Sequence, residues 1–253
     1  MKSCLLAGIA AVISYLAATT EGSPLDASLT RSRQLIVVTA EDWNSDRGVL
    51  QLLERAAGGQ WQGVGEEVPV MLGRNGLAWG IGLRPPPHKA TAGGARRVKQ
   101  EGDGRSPAGV FELERVWGGA GARRLRRFPY RQMSAVMEGI DDSRSRFYNR
   151  FLDVTQVPDR ERDWKRTETV RAANPMFRWL VEVKHNWAQR PDYGSNIWLH
   201  IWKAPCVATS GCTAMEAPAL ERLVHWLETR KRPLLVQLPR AEMERLLPQI
   251  GRE

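Results

Sequence analysis

The chain has 253 residues, 42% of them apolar, and carries 37 Lys and Arg against 28 Asp and Glu, a formal net charge of +9. That is enough to bury one core of ordinary size, most simply as a single domain, and its 23 Gly and 15 Pro favour a turn-rich, strand-rich architecture over a helical bundle. The charge would suit a nucleic-acid ligand, but no recognition motif accompanies it, and the N-terminus points away from that class.

Met1-Lys2 and the apolar run Cys4 to Ala18, followed by polar Thr19-Thr20-Glu21-Gly22, read as a signal peptide over 1–22, with an uncleaved anchor as the alternative. The body, 33–253, would then lie outside the cytoplasm, in the periplasm or cell envelope. No later segment is apolar enough to cross a membrane. Residues 1–22 contain one Lys and one Glu, so the mature chain keeps its +9 charge. Arg123-Arg124-Leu125-Arg126-Arg127 is its densest basic run, a solvated surface or an attractor for anionic envelope polymers.

Gln34 to Thr39 is predicted as the opening strand, and Val49, Leu52, Leu53 and Ala56 fall at i, i+3, i+4 and i+7, one face of a helix beginning near Ser45-Asp46. Further strands are expected at Val68 to Leu72, Leu77 to Ile81, Val110 to Leu113, Trp179 to Val183, Asn196 to Trp202 and Leu234 to Leu238. Leu220, Leu223, Val224 and Leu227 repeat the helical spacing, and a short helix is expected over Ala241 to Leu247. Residues 84–106, with Pro85-Pro86-Pro87 and His88, read as a surface loop. The result is a mainly β (α+β) single domain with a few flanking helices, without repeats or a coiled coil.

The chemistry concentrates in Leu199-His200-Ile201 and Thr209-Ser210-Gly211-Cys212. The reactive form of a cysteine is its thiolate, scarce at neutral pH unless a neighbouring imidazole takes the proton. A strand delivers His200 near its end, and a turn presents Cys212. Gly211 frees the approach to the thiol, and backbone N–H groups around Cys212 are candidates for an oxyanion hole. Against this, export would allow Cys206 and Cys212 to form a structural disulfide. A zinc site on His200, Cys206 and Cys212 lacks a fourth ligand. His185 and His225 receive no catalytic role; His225 is placed on the helix after the Cys212 turn, in a surface or boundary position.

These residues resemble the L,D-transpeptidase (YkuD-type) catalytic domain, whose signature is a histidine followed by a Ser/Thr-x-Gly-Cys turn. A second match is Lys99-Gln100-Glu101-Gly102-Asp103-Gly104-Arg105-Ser106-Pro107-Ala108-Gly109-Val110-Phe111, and further echoes are Gly76 to Gly80, Tyr148-Asn149 and Gly194 to His200. The likeness covers most of residues 33–238. It departs at Ser210, where many members have a second His, and at Thr213-Ala214-Met215, where many have an Arg. Pro107 and Gly109 are read as setting a turn rather than doing chemistry.

The resemblance implies a β-sandwich domain and an exported cysteine enzyme acting on peptidoglycan stem peptides. Cys212 would attack the carbonyl of an L-centre bonded to a D-amino acid, with His200 as base, Ile201 orienting it through its carbonyl, and the N–H groups of Gly211 and Cys212 holding the oxyanion. Ser210, Tyr148 and Asn149 would line the substrate, and no cofactor or metal is implied. An amine resolving the thioester makes the protein a transpeptidase; water makes it an L,D-carboxypeptidase or endopeptidase. A non-catalytic envelope-binding protein with a Cys206–Cys212 disulfide is the third alternative.

Overall fold

The computed structural model describes residues 24–84 and 97–247. The expected signal segment and the proline stretch with His88 lie outside those residues. Helix α1 (Pro24–Arg31) leads into β1 (Gln34–Ala40), β2 (Arg47–Glu54), β3 (Gln62–Met71) and β4 (Leu77–Trp79). The long β5 (Ser106–Gly118) is followed by β6 (Tyr130–Gln132), β7 (Val136–Ile140), β8 (Phe151–Leu152), β9 (Thr167–Arg171), β10 (Trp179–Val183), β11 (Trp198–Ile201) and β12 (Thr213–Met215). Helix α2 (Ala217–Trp226), β13 (Leu234–Pro239) and α3 (Arg240–Leu246) complete it.

The sheet runs β10-β11-β12-β3-β2-β1-β13-β5 and closes on itself where β5 pairs with β10. It is therefore barrel-like, mainly β with three α-helices among the described residues. β5 is the seam, because different stretches of one strand face different partners. Gly109 to Glu112 pair with β13, whereas Leu113 and Val116 to Gly118 pair with β10. Closure removes most free edges, which otherwise invite pairing with other chains.

The expected strands at Gln34 to Thr39, Trp179 to Val183 and Leu234 to Leu238 are present, and α2 buries Leu220, Leu223 and Val224, with Leu227 buried at its C-cap. The helix expected after Ser45 is not: these residues form β2, paired antiparallel with β1 from Gln34↔Glu54 to Ala40↔Gly48. The apolar spacing misleads because the pairing of β2 with β3 shifts between Leu50 and Leu52. Such a bulge puts apolar residues on both faces. Leu50 is buried, Val49 exposed, and Leu52 and Leu53 half-buried.

Two cores result. The larger contains Leu35, Ile36, Phe111, Trp179, Leu199, Leu220 and Leu235. The second lies between one face of β10 and β11 and a separate three-stranded sheet, β8-β7-β9. Period-two alternation decides which residue enters which core. Leu199 joins the first; Trp198 joins the second, stacked edge-on against Phe151 at 5.1 Å, with Trp117 beyond at 5.2 Å. Burying an indole of this kind is worth about 4–6 kcal/mol before its entropic cost. The second sheet is thereby held over the strand that carries the histidine. No described helix is long and apolar enough to cross a membrane.

Candidate active site

β11 and β12 run parallel, with Leu199 opposite Thr213 and His200 opposite Ala214. Paired residues share a face, so Thr213 points with Leu199, and Cys212, one residue earlier, points with Trp198 and His200. Packing agrees: Cys212 lies against the second core, and Phe177 of that core meets the His200 ring at 6.0 Å. Thiol and imidazole thus occupy one face of adjacent strands.

His200 is buried, and its Nδ1 lies 2.8 Å from the Ile201 carbonyl. A carbonyl can only accept, so Nδ1 carries the proton and Nε2 keeps its lone pair. Burial holds the imidazole below its ordinary pKa, against the pull of that carbonyl. The ring is neutral at pH 7, the form a general base requires.

The Cys212 thiol reaches the Asn196 carbonyl at 3.5 Å and is approached by the Trp198 N–H at 3.5 Å. Burial pushes it up to about 12, with the Glu168 charge adding to the rise while the Trp198 N–H and the Lys99 charge oppose it. The resting pair is therefore neutral thiol and neutral imidazole, not a preformed ion pair. Any attack by this thiol would have to be coupled to loss of its proton.

The turn before the thiol is fixed by hydroxyls. Thr209 Oγ1 donates to the Cys212 carbonyl at 2.7 Å and accepts the Gly211 N–H at 3.1 Å. Gly211 has φ +154°, and a Cβ there would stand 3.0 Å from the Arg105 carbonyl oxygen. Only glycine fits comfortably. The expected pair of oxyanion donors is thus unequal: Gly211 N–H is engaged, whereas the Cys212 N–H donates to no group among the described residues.

The upstream motif is the floor of this turn. Asp103 accepts from Lys99 Nζ at 2.5 Å and from the N–H groups of Gln100 and Arg105 at 2.9 Å each, closing the loop on itself. Ser106, fully buried, accepts the Gly73 N–H at 2.9 Å and donates to the Cys212 carbonyl at 3.1 Å. Gln237 then joins the two motifs, accepting from Thr213 Oγ1 at 2.6 Å and donating to the Pro107 carbonyl at 2.8 Å.

The other expected site residues divide. Ser210 is exposed beside the turn, 3.3 Å from Arg74 Nη1. Tyr148 is buried, its hydroxyl donating to Glu101 Oε2 at 2.6 Å, and burial with that carboxylate raises its pKa. Asn149, at φ +58°, donates to the His185 and Asn186 carbonyls and accepts the Asn196 N–H at 2.9 Å. Asn149 braces the loop that carries Asn196, Tyr148 ties to the upstream motif through Glu101, and the polar side-chain atoms of both are occupied. Cys206 is exposed and unbridged, and Cys212 is likewise a free thiol. No group of three or more His, Cys, Asp or Glu among the described residues is placed to hold a metal ion.

Sequence reasoning missed Ser106, Thr209 and Asn196 as individual contributors, although all lie in the recognised motifs. It missed Glu168 entirely, because β9 gave no strand signal. Comparison with family models, curated proteins and solved structures gave no match to this chain.

Proposed function

We propose that the protein is a cysteine acyltransferase of L,D-transpeptidase type, acting on peptidoglycan stem peptides outside the cytoplasm. The observation that carries this reading is the placement of the Cys212 thiol and a neutral His200, tautomer fixed through Ile201, on one face of two paired strands. The finer fold assignment, an L,D-transpeptidase-like sandwich, belongs to the same proposal and draws support from the layer of β7, β8 and β9 over β11.

In the mechanism, Cys212 Sγ attacks the carbonyl of the L-centre while its proton passes to His200 Nε2. The oxyanion takes the Cys212 N–H. Collapse returns the proton to the departing amine of the D-amino acid, leaving a thioester. An acceptor amine then forms the new C–N bond and releases the thiol; water in its place gives the hydrolytic alternative. The +9 charge favours approach to anionic envelope polymers. The free state of both cysteines favours the enzyme over a binding protein stapled by a Cys206–Cys212 bridge.

The test is intact mass of the reduced mature chain after incubation with a carbapenem, beside Cys212→Ala. A single adduct absent from the variant is expected. No adduct, with both thiols titrating as free, would overturn the reading.

A further inference from the structure

β9 lies antiparallel to β7, with Met137 opposite Val170 and Gly139 opposite Glu168. These four residues share one face of the small sheet. Met137 and Val170 are buried in the second core beside Trp198. Gly139 sits so close to Asn196 that a Cβ on it would stand 2.8 Å from the Asn196 side chain. Asn196 is the residue whose carbonyl receives the Cys212 thiol. The face carrying Glu168 is thus the face turned toward the nucleophile, and Glu168 is the carboxylate that the paired stretch of β7 and β9 places on it, exposed beside the apolar packing. Among the described residues it forms no ion pair and no side-chain hydrogen bond, whereas its neighbour Glu138, on the opposite face, is bonded to Trp164 Nε1 at 3.3 Å.

An unpaired carboxylate facing a thiol does not help make a thiolate, so its value must lie in what it binds. Both ends of the acyl-transfer reaction are amines: one leaves, another enters. We propose that Glu168 forms an ammonium-binding subsite beside Cys212 that selects an amine over water as acyl acceptor, a proposal that rests on the acyl-transfer reading above. The acceptor arrives as an ammonium ion and is held by the carboxylate. It gives one proton to Glu168 or solvent, and its freed lone pair attacks the thioester carbonyl. The C–N bond forms as the C–S bond breaks, and the second amine proton passes through His200 to the departing sulfur.

Charge recognition can be read without any peptide substrate. In a Cys206→Ser background, Cys212 is modified with aminoethyl methanethiosulfonate, which is cationic, and with its neutral methyl analogue. In both, sulfur attacks sulfur, a mixed disulfide forms and methanesulfinate leaves. Any change in thiol ionisation affects both rates equally, so their ratio isolates attraction of the cation. Glu168→Gln lowers the cationic-to-neutral ratio by about tenfold at low salt, while Glu138→Gln leaves it unchanged. An equal ratio in Glu168→Gln and the parent overturns the subsite. With a tetrapeptide donor and an amine acceptor, Glu168→Gln shifts product from crosslink to hydrolysis; an unchanged partition overturns the acceptor role. If the ratio falls but no donor acylates Cys212, the subsite stands and acyl transfer does not.

Discussion

Replacing Ser106 with Ala removes one hydroxyl that joins three segments. Ser106 is fully buried; its Oγ accepts the Gly73 N–H at 2.9 Å and donates to the Cys212 carbonyl at 3.1 Å. The Cys212 carbonyl keeps its bond from Thr209 Oγ1, so it loses one partner of two at a cost of about 1 kcal/mol. The Gly73 N–H is left without a partner in a dry site, which costs about 1–2 kcal/mol more. The expected destabilisation is about 2–3 kcal/mol, and urea unfolding of a chain this size should show a midpoint lower by about 1 M. The assay is equilibrium unfolding followed by tryptophan fluorescence, with Ser106→Cys as a partial rescue. A midpoint within about 0.2 M of the parent would refute the claim that this hydroxyl ties the upstream motif to the nucleophile turn.

Three further outcomes follow from the site. Because burial pushes the Cys212 thiol up to about 12, iodoacetamide alkylation of Cys212 should climb about tenfold per pH unit from 7 to 9 without a plateau, as thiolate fraction dictates; a plateau near pH 7 would mean a preformed thiolate. His185 accepts the Ile81 N–H on Nδ1, donates from Nε2 to the Tyr193 carbonyl, and is lowered to about 4, mainly by burial. The unfolded chain therefore binds the extra proton first, so stability falls as pH drops from about 6.5 to about 4, by about 3 kcal/mol; urea midpoints across that window check the slope, which His185→Gln should flatten. Gly211→Ala sets a Cβ against the Arg105 carbonyl at a φ of +154°, and should cost about 1–3 kcal/mol while slowing Cys212 acylation at least tenfold.

The elements legible in the sequence are those whose own pattern matches their burial. β1, β10 and β13 are apolar runs in a closed sheet, and α2 with its C-cap presents Leu220, Leu223, Val224 and Leu227 to the core. β2 was not legible, because a bulge breaks its alternation and leaves a spacing that a helix would also produce. β6, β7, β8 and β9 are two to five residues long, too short for periodicity to register, and exist through pairing with neighbours rather than local preference. At the site, the Cys212 turn and His200 were readable from residue type and order. The unequal engagement of the Gly211 and Cys212 N–H groups was not, since it depends on where the Thr209 hydroxyl points. Glu168 was invisible for a related reason: its meaning comes from the register Gly139↔Glu168, set by a strand pair the sequence does not announce.

The most direct test of the account is mass spectrometry of the reduced protein mixed with a disaccharide-tetrapeptide donor and quenched in acid within one turnover. The expected species is the protein plus the donor minus its terminal D-amino acid, mapped to Cys212, formed about 100- to 1,000-fold more slowly in His200→Ala and absent in Cys212→Ala. Donor turnover that persists in Cys212→Ala, or a wild-type chain with both thiols free that never carries the adduct, would contradict it.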